Sequence, residues 1–211
     1  MKKSEIVMLG IIIASAIIGL YFYPQMPARM ASHWNIHGEV DGYLSRFWAL
    51  FFMPIISVFL FLIFIFIPRI DPLKNNIAQF RKYYDEFAVL VLVFILYVYL
   101  LTIVWNRGIG FNIIQFLAPA FGLLYYYCGA LMTHTKRNWF IGIRTPWTLH
   151  SEKVWEKTHK IGAILFKISG LVTFLGIFLP GSAIFLIFLP VIVVAIYAVI
   201  YSYIAYQKEE K

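Results

Sequence analysis

Six apolar runs, each about as long as a bilayer is thick, leave this chain few ways to fold. They cover residues 5–23, 47–68, 87–105, 113–132, 161–179 and 184–206. Crossing the hydrocarbon core takes about 20 apolar residues in helical conformation. Within lipid no water is available to the backbone, so each crossing segment must satisfy its own N–H and C=O groups, and a helix does so. Composition agrees: 62% of the 211 residues are hydrophobic and 13% charged, against roughly 45–50% apolar and about 25% charged in soluble domains. The expected fold class is all-α, a multi-pass protein of the cell membrane with six transmembrane helices arranged as three hairpins. The first run follows Lys2 and Lys3, as a secretion signal would. It exceeds the roughly 7–15 apolar residues of such a signal, and five more runs follow, so it is expected to stay as the first span.

The placement of charge sets the orientation. With the N-terminus inside, the inner segments collect Lys2, Lys3, Arg69, Lys74, Arg81, Lys82, Lys136, Arg137, Arg144, Lys153, Lys157, Lys160, Lys208 and Lys211, while the outer segments hold Arg29, Arg46 and Arg107. Basic residues accumulate on the cytoplasmic side of membrane proteins, so both termini are expected inside (N-in/C-in). The net charge of +8 then follows from topology, and direct nucleic-acid binding is not required to explain it.

The outer connections are residues 24–46, 106–112 and 180–183, and the inner ones 69–86 and 133–160. Only 24–46 and 133–160 are long enough to carry a site. A division into a first hairpin, 1–68, and a four-helix region, 69–211, is expected. Each of the three inward-running spans carries a proline, at Pro54, Pro119 and Pro190. Proline removes a backbone donor and kinks a helix. The three kinks either shape a cavity in the outer leaflet or reflect the general frequency of proline in membrane helices.

Several activities are disfavoured. Apart from Glu5 at the very start of the first run, no Asp, Glu or His falls inside an apolar run, whereas ion-coupled transporters place ionisable groups there. Lys167 is the exception, and its side chain is long enough to snorkel to the inner interface. No nucleophile–base pair or paired carboxylates lie within the runs, so an enzyme is not expected, nor any cofactor. Cys128 is the single cysteine and reads as a small buried hydrophobe. A channel or transporter for a small solute stands as the alternative function.

The outer loop, "YPQMPARMASHWNIHGEVDGYLSRF", brings His33, Asn35, His37, Gly38 and Asp41 together with Glu39. His33 and His37 would share a helix face, and imidazole with carboxylate suits Zn²⁺. However, Trp34 follows His33 where the zinc-protease pattern requires Glu. "NIHG" and "VDGY" read as turns, with Gly38 and Gly42 supplying positive φ. An ordered outer cap, a ligand-facing surface and a His33/His37 metal site all remain open, and no resident metal is assigned.

The inner loop 133–160 holds six of the 18 Lys and Arg, three of the five His and three of the six Trp. Thr145 precedes Pro146 and should be extended. Thr148 is expected to cap a helix that carries Ser151 and Glu152 in its first turn. Glu156 and Lys160 follow at i, i+4. Val154, Trp155, Thr158, Ile161 and Leu165 share one side, so a cytoplasmic amphipathic helix running into the fifth span is expected. Arg144 and the tryptophans at 139, 147 and 155 are of the types that dominate protein interfaces. The loop therefore reads either as an anchor in the lipid headgroups or as a docking surface built from Asn138, Gly142, Arg144, Thr145, Pro146, Trp147, Thr148 and Trp155.

The stretch "NWFIGIRTPWTLHSEKVWEKTHKIG" resembles the signature of the SdpI family of bacterial membrane proteins. "MPARMASHWNIHGEVDGY" is similar to a small uncharacterised domain that often precedes that signature. The resemblance spans nearly the whole chain. It implies an immunity protein against a secreted toxic peptide met on the extracellular side. It also implies signal transduction by holding an ArsR-type transcriptional repressor at the membrane. Toxin-facing residues would then lie in the outer loop and repressor-docking residues in the inner one, with the lipid bilayer as the third partner.

Overall fold

The computed structural model describes residues 2–209. Six long helices, each sufficiently apolar to cross a membrane, form the body: α1 (Lys3–Phe22), α2 (Arg46–Ile70), α4 (Arg81–Asn106), α5 (Ile113–Met132), α7 (Glu152–Phe174) and α8 (Ala183–Gln207). Two short helices, α3 (Lys74–Gln79) and α6 (Pro146–His150), lie in the inner connections. The protein is an all-α, multi-pass membrane protein. One small exception departs from that class: residues 24–46 contain an antiparallel hairpin of β1 (Arg29–Trp34) and β2 (Val40–Ser45).

The helices group three and three. Helix α4 packs with α1 and α2, while α5, α7 and α8 form the second group, and α4 joins the two through α5. Met8, Ile12, Ala88 and Leu92 fill the first group. The second is held by an unusually close crossing of α5 and α7. A Cβ on Gly170 would stand 2.5 Å from the Gly122 carbonyl oxygen, and one on Gly129 would stand 2.5 Å from that of Ala163. In lipid, small residues that let backbones approach supply the packing that the hydrophobic effect cannot. Helix α5 continues through Pro119, as α2 does through Pro54 and α8 through Pro190.

Contacts sort the connections into two ends. At one end Lys2 lies 3.9 Å from Asp85, Asn76 donates to the Arg137 carbonyl, and Ser151 donates to Glu209. At the other end Ala31 bonds Asn106, and Gln115 donates to the Ile177 carbonyl. The first end is the one the basic residues mark as cytoplasmic. Lys211, counted among them, lies outside the described residues.

Two local expectations are corrected. Thr148 is not the helix cap. Thr145 caps α6, with Pro146 at its first position and Thr148 completing a reciprocal capping box, while Ser151 caps α7 by accepting from the Val154 N–H. Proline's fixed φ starts α6 three residues early, and Ser151 is then free to start the next helix. Gly42 does not adopt positive φ; Gly38 does, at 80°. Gly42 lies inside β2, and its missing side chain makes room for His33, whose Cβ would otherwise be 2.8 Å away.

Candidate functional site

Two sites stand at opposite ends of the bundle, and each is a firmly held frame with a few exposed side chains. The outer frame begins with Asn106 at the end of α4. Its side chain both accepts from the Ala31 N–H, at 2.8 Å, and donates to the Ala31 carbonyl, at 3.0 Å. This imitates a third strand along β1. Met30 beside it is fully buried among Met26, Leu50, Tyr99 and Ile103, and Trp34 meets Trp105 edge to face at 5.7 Å. Asn35 organises the turn: its carbonyl oxygen accepts from His37 and Glu39 N–H groups, and its amide donates to Glu39. Gly38 sits directly over Asn112, where a Cβ would be 2.8 Å from the amide oxygen. Asn112 in turn caps α5.

Of the five outer residues singled out by sequence, Asn35 and Gly38 therefore build the turn. His33 pairs with Asp41 across the strands, Nδ1 to carboxylate at 2.5 Å, with both side chains open to solvent. His37 stands in the turn. Among the described residues, no three His, Cys, Asp or Glu side chains gather as a metal centre would require. The hairpin's exposed surface includes Arg29, His33, Ile36, His37, Glu39, Asp41, Tyr43 and Leu44.

The inner frame is assembled almost entirely from residues of the signature. Asn138 is fully buried. Its oxygen accepts from Phe140 and Ile141, and its amide donates to the carbonyls of Lys136 and Ile141. Asp71, from the preceding inner connection, accepts from Trp139 N–H and from Leu73 N–H. Arg137 donates to the Leu149 and His150 carbonyls, closing the end of α6. Thr145 donates to Ser202 of α8 at 3.0 Å, and Thr148 donates to the Ile143 carbonyl. Trp155 is buried and donates its indole N–H to the Thr135 carbonyl.

His159 locks the centre of this frame. Its Nδ1 bonds the Trp155 carbonyl at 2.9 Å, and its Nε2 accepts from the Ile143 N–H at 3.0 Å. The pair of bonds requires the tautomer with its hydrogen on Nδ1. The ring stacks on Trp155 at 3.9 Å. Gly142, at φ 109°, passes so close to Nε2 that no Cβ would fit.

The inner residues singled out by sequence divide between frame and surface. Asn138, Thr145, Thr148 and Trp155 are buried and hold the loop in shape, and Gly142 shapes it through its backbone. The exposed part is Trp139, Phe140, Arg144 and Pro146, with Trp147 half-buried against Tyr203. Arg144 donates one N–H to the Trp139 carbonyl, at 2.9 Å, so the guanidinium is aimed while its other donors remain available. Sequence reading missed Asp71, Arg137, His159 and Ser202. Asp71 carried a signal, since an Asp two residues before a Leu N–H in "DPL" reads as a side-chain-capped turn.

Comparison with known proteins matches both ends. The SdpI/YfhL protein family matches residues 134–202, from the turn after α5 to the serine that receives Thr145. A domain of unknown function (DUF1648) matches residues 10–58, which contain the whole hairpin. The chain is 24% identical to "Immunity protein SdpI" of Bacillus subtilis (strain 168) over 207 residues, covering 98% of this chain and 97% of that protein. No solved structure matches.

Proposed function

We propose that this chain, similar to the SdpI/YfhL protein family over residues 134–202 and to an immunity protein along its length, is an integral membrane immunity protein against a secreted killing peptide. We further propose that it signals inward by holding a cytoplasmic ArsR-type repressor. The observation that carries the first part is the end-to-end match to an immunity protein, which takes in both the outer hairpin and the inner loop. The geometry suits recognition rather than turnover. Buried polar side chains on the inner side and half-buried ones on the outer side fix a frame, and the exposed residues are of recognition type: a His–Asp pair with Ile36 and Tyr43 outside, and Trp139, Phe140 and Arg144 inside. The peptide would be received by the hairpin and the repressor by the Arg144 face.

The signalling part has a direct test. Arg144→Ala should abolish recruitment of the repressor to membranes while expression and insertion stay unchanged. Losing an interface Arg paired with a buried charge typically costs about 2–5 kcal/mol. A juxtamembrane charge that only attracts lipid contributes about 1 kcal/mol. Lys153→Ala is the control, because that side chain is exposed and only 4.0 Å from Glu209. Equal behaviour of the two variants would reduce the loop to an anchor.

A further inference from the structure

A cavity of about 450 Å³ opens beside the inner loop, between the end of α5 and the first half of α7. Lys136, Lys160 and Lys167 line it, with Glu156 as the only carboxylate, and its apolar wall is Met132, Ala163 and Ile164. Lys136 and Glu156 pair with each other at 3.5 Å. Among the described residues neither Lys160 nor Lys167 has a carboxylate partner. Lys167 is the one cation within an apolar run of the sequence, and its amine reaches only the Thr133 hydroxyl, at 3.4 Å.

The end of α5 does not need these amines. Lysines near a helix C-terminus often satisfy its last carbonyls, but here the turn that follows has taken them. The Gly129 carbonyl accepts from both the N–H and the hydroxyl of Thr133, the Leu131 carbonyl from His134 and Thr135, and the Met132 carbonyl from the Thr135 hydroxyl. Two ammonium groups are thus held at one cavity without a carboxylate of their own, at the end of the bundle that the basic residues mark as cytoplasmic. The floor is apolar, and Ile164 is exposed to the hydrocarbon side. Basic pockets between membrane helices on the cytoplasmic side suit anionic lipid headgroups.

We propose that this cavity binds one anionic phospholipid of the inner leaflet, with Lys160 and Lys167 on its phosphate and Met132, Ala163 and Ile164 along its glycerol and upper chains. The ligand chemistry is a phosphate ester. The adjoining apolar wall favours lipid over free phosphate as its source. His159 also borders the cavity, but both of its ring nitrogens are already bonded, so it serves as wall. An occupied site would fix the end of α5 to α7 directly beneath the signature loop.

The test uses the full chain in mild detergent, titrated with phosphatidylglycerol, phosphatidylcholine or inorganic phosphate, and reads retained lipid by native mass spectrometry and thermal stability in parallel. Wild-type protein should retain phosphatidylglycerol selectively and be stabilised by it. At about 1 kcal/mol, or fivefold, per basic residue, Lys160→Ala with Lys167→Met should weaken that retention by about 25-fold. Lys157→Ala, which removes an exposed lysine not lining the cavity, should leave retention unchanged. Lys167→Arg should keep the preference and so separates lost charge from lost fold. Equal retention of the two lipids, or equal behaviour of the double variant and Lys157→Ala, would overturn the site. Stabilisation by inorganic phosphate equal to that by phosphatidylglycerol would overturn the lipid assignment in favour of a free phosphate.

Discussion

His159, Gly142 and Arg144 lie within eighteen residues of one another and have opposite kinds of work. His159 supplies an acceptor to the part-buried Ile143 N–H and bonds the Trp155 carbonyl, so it ties the loop to α7. Gly142 permits this because it has no side chain where Nε2 sits. Gly142→Ala should therefore be strongly destabilising. Its φ of 109° alone costs an L-residue on the order of 1–3 kcal/mol, and displacing the imidazole would leave the Ile143 N–H unpaired at a further cost of about 1–3 kcal/mol. Thermal unfolding in detergent should show a clear drop for Gly142→Ala and almost none for Arg144→Ala, whose side chain is exposed with one backbone contact. An equal drop would mean that Arg144 too is part of the frame. Which residues of the signature were frame and which were surface was not legible in the sequence. Asn138, Thr145 and Thr148 are small polar residues that read equally as ligands or as structural groups, and only their burial decides for the frame.

At the level of elements, the α5–α7 crossing carries the second group of helices. Gly122 and Gly170 meet backbone to backbone, so Gly170→Leu should force the helices apart, and overpacking of this kind costs about 1–3 kcal/mol or more. Size-exclusion chromatography should show lost monodisperse protein. Gly10→Leu is the matched control, since nothing lies within 4 Å of the Cβ it adds. If both variants behaved alike, the close crossing would not be what holds α5 to α7. The spans themselves were legible because a run of apolar residues of membrane length admits little but a helix. The β-hairpin was not. Its strands lack clean alternation, with Met30 and Ala31 both buried in succession and register shifts on either side of His33. Only the Gly38 turn showed, since "NIHG" carries its own conformational signal. The helix running into the fifth span was legible from its charged first turn; only its cap moved, from Thr148 to Ser151.

For the whole molecule, one end gathers the basic connections and the other the hairpin, and the two candidate sites lie on opposite sides of the membrane. With Cys128 replaced by Ala, a cysteine at the exposed position Ile36 should react with an impermeant thiol reagent from outside intact cells, and one at the exposed position Glu152 should not. Reaction at 152 would invert the topology and exchange the proposed partners. The separation of sites also means that protection and signalling need not fail together: Arg144→Ala should silence recruitment while the outer hairpin stays intact. The immunity reading itself comes down to survival. Bacillus subtilis lacking its own Immunity protein SdpI, and producing this chain in its membrane, is co-cultured with wild-type B. subtilis, and the viable count is compared with that of the same strain carrying an empty vector. Immunity predicts survival well above the vector control. Killing to the level of the vector control, with the chain inserted in the membrane, would contradict it.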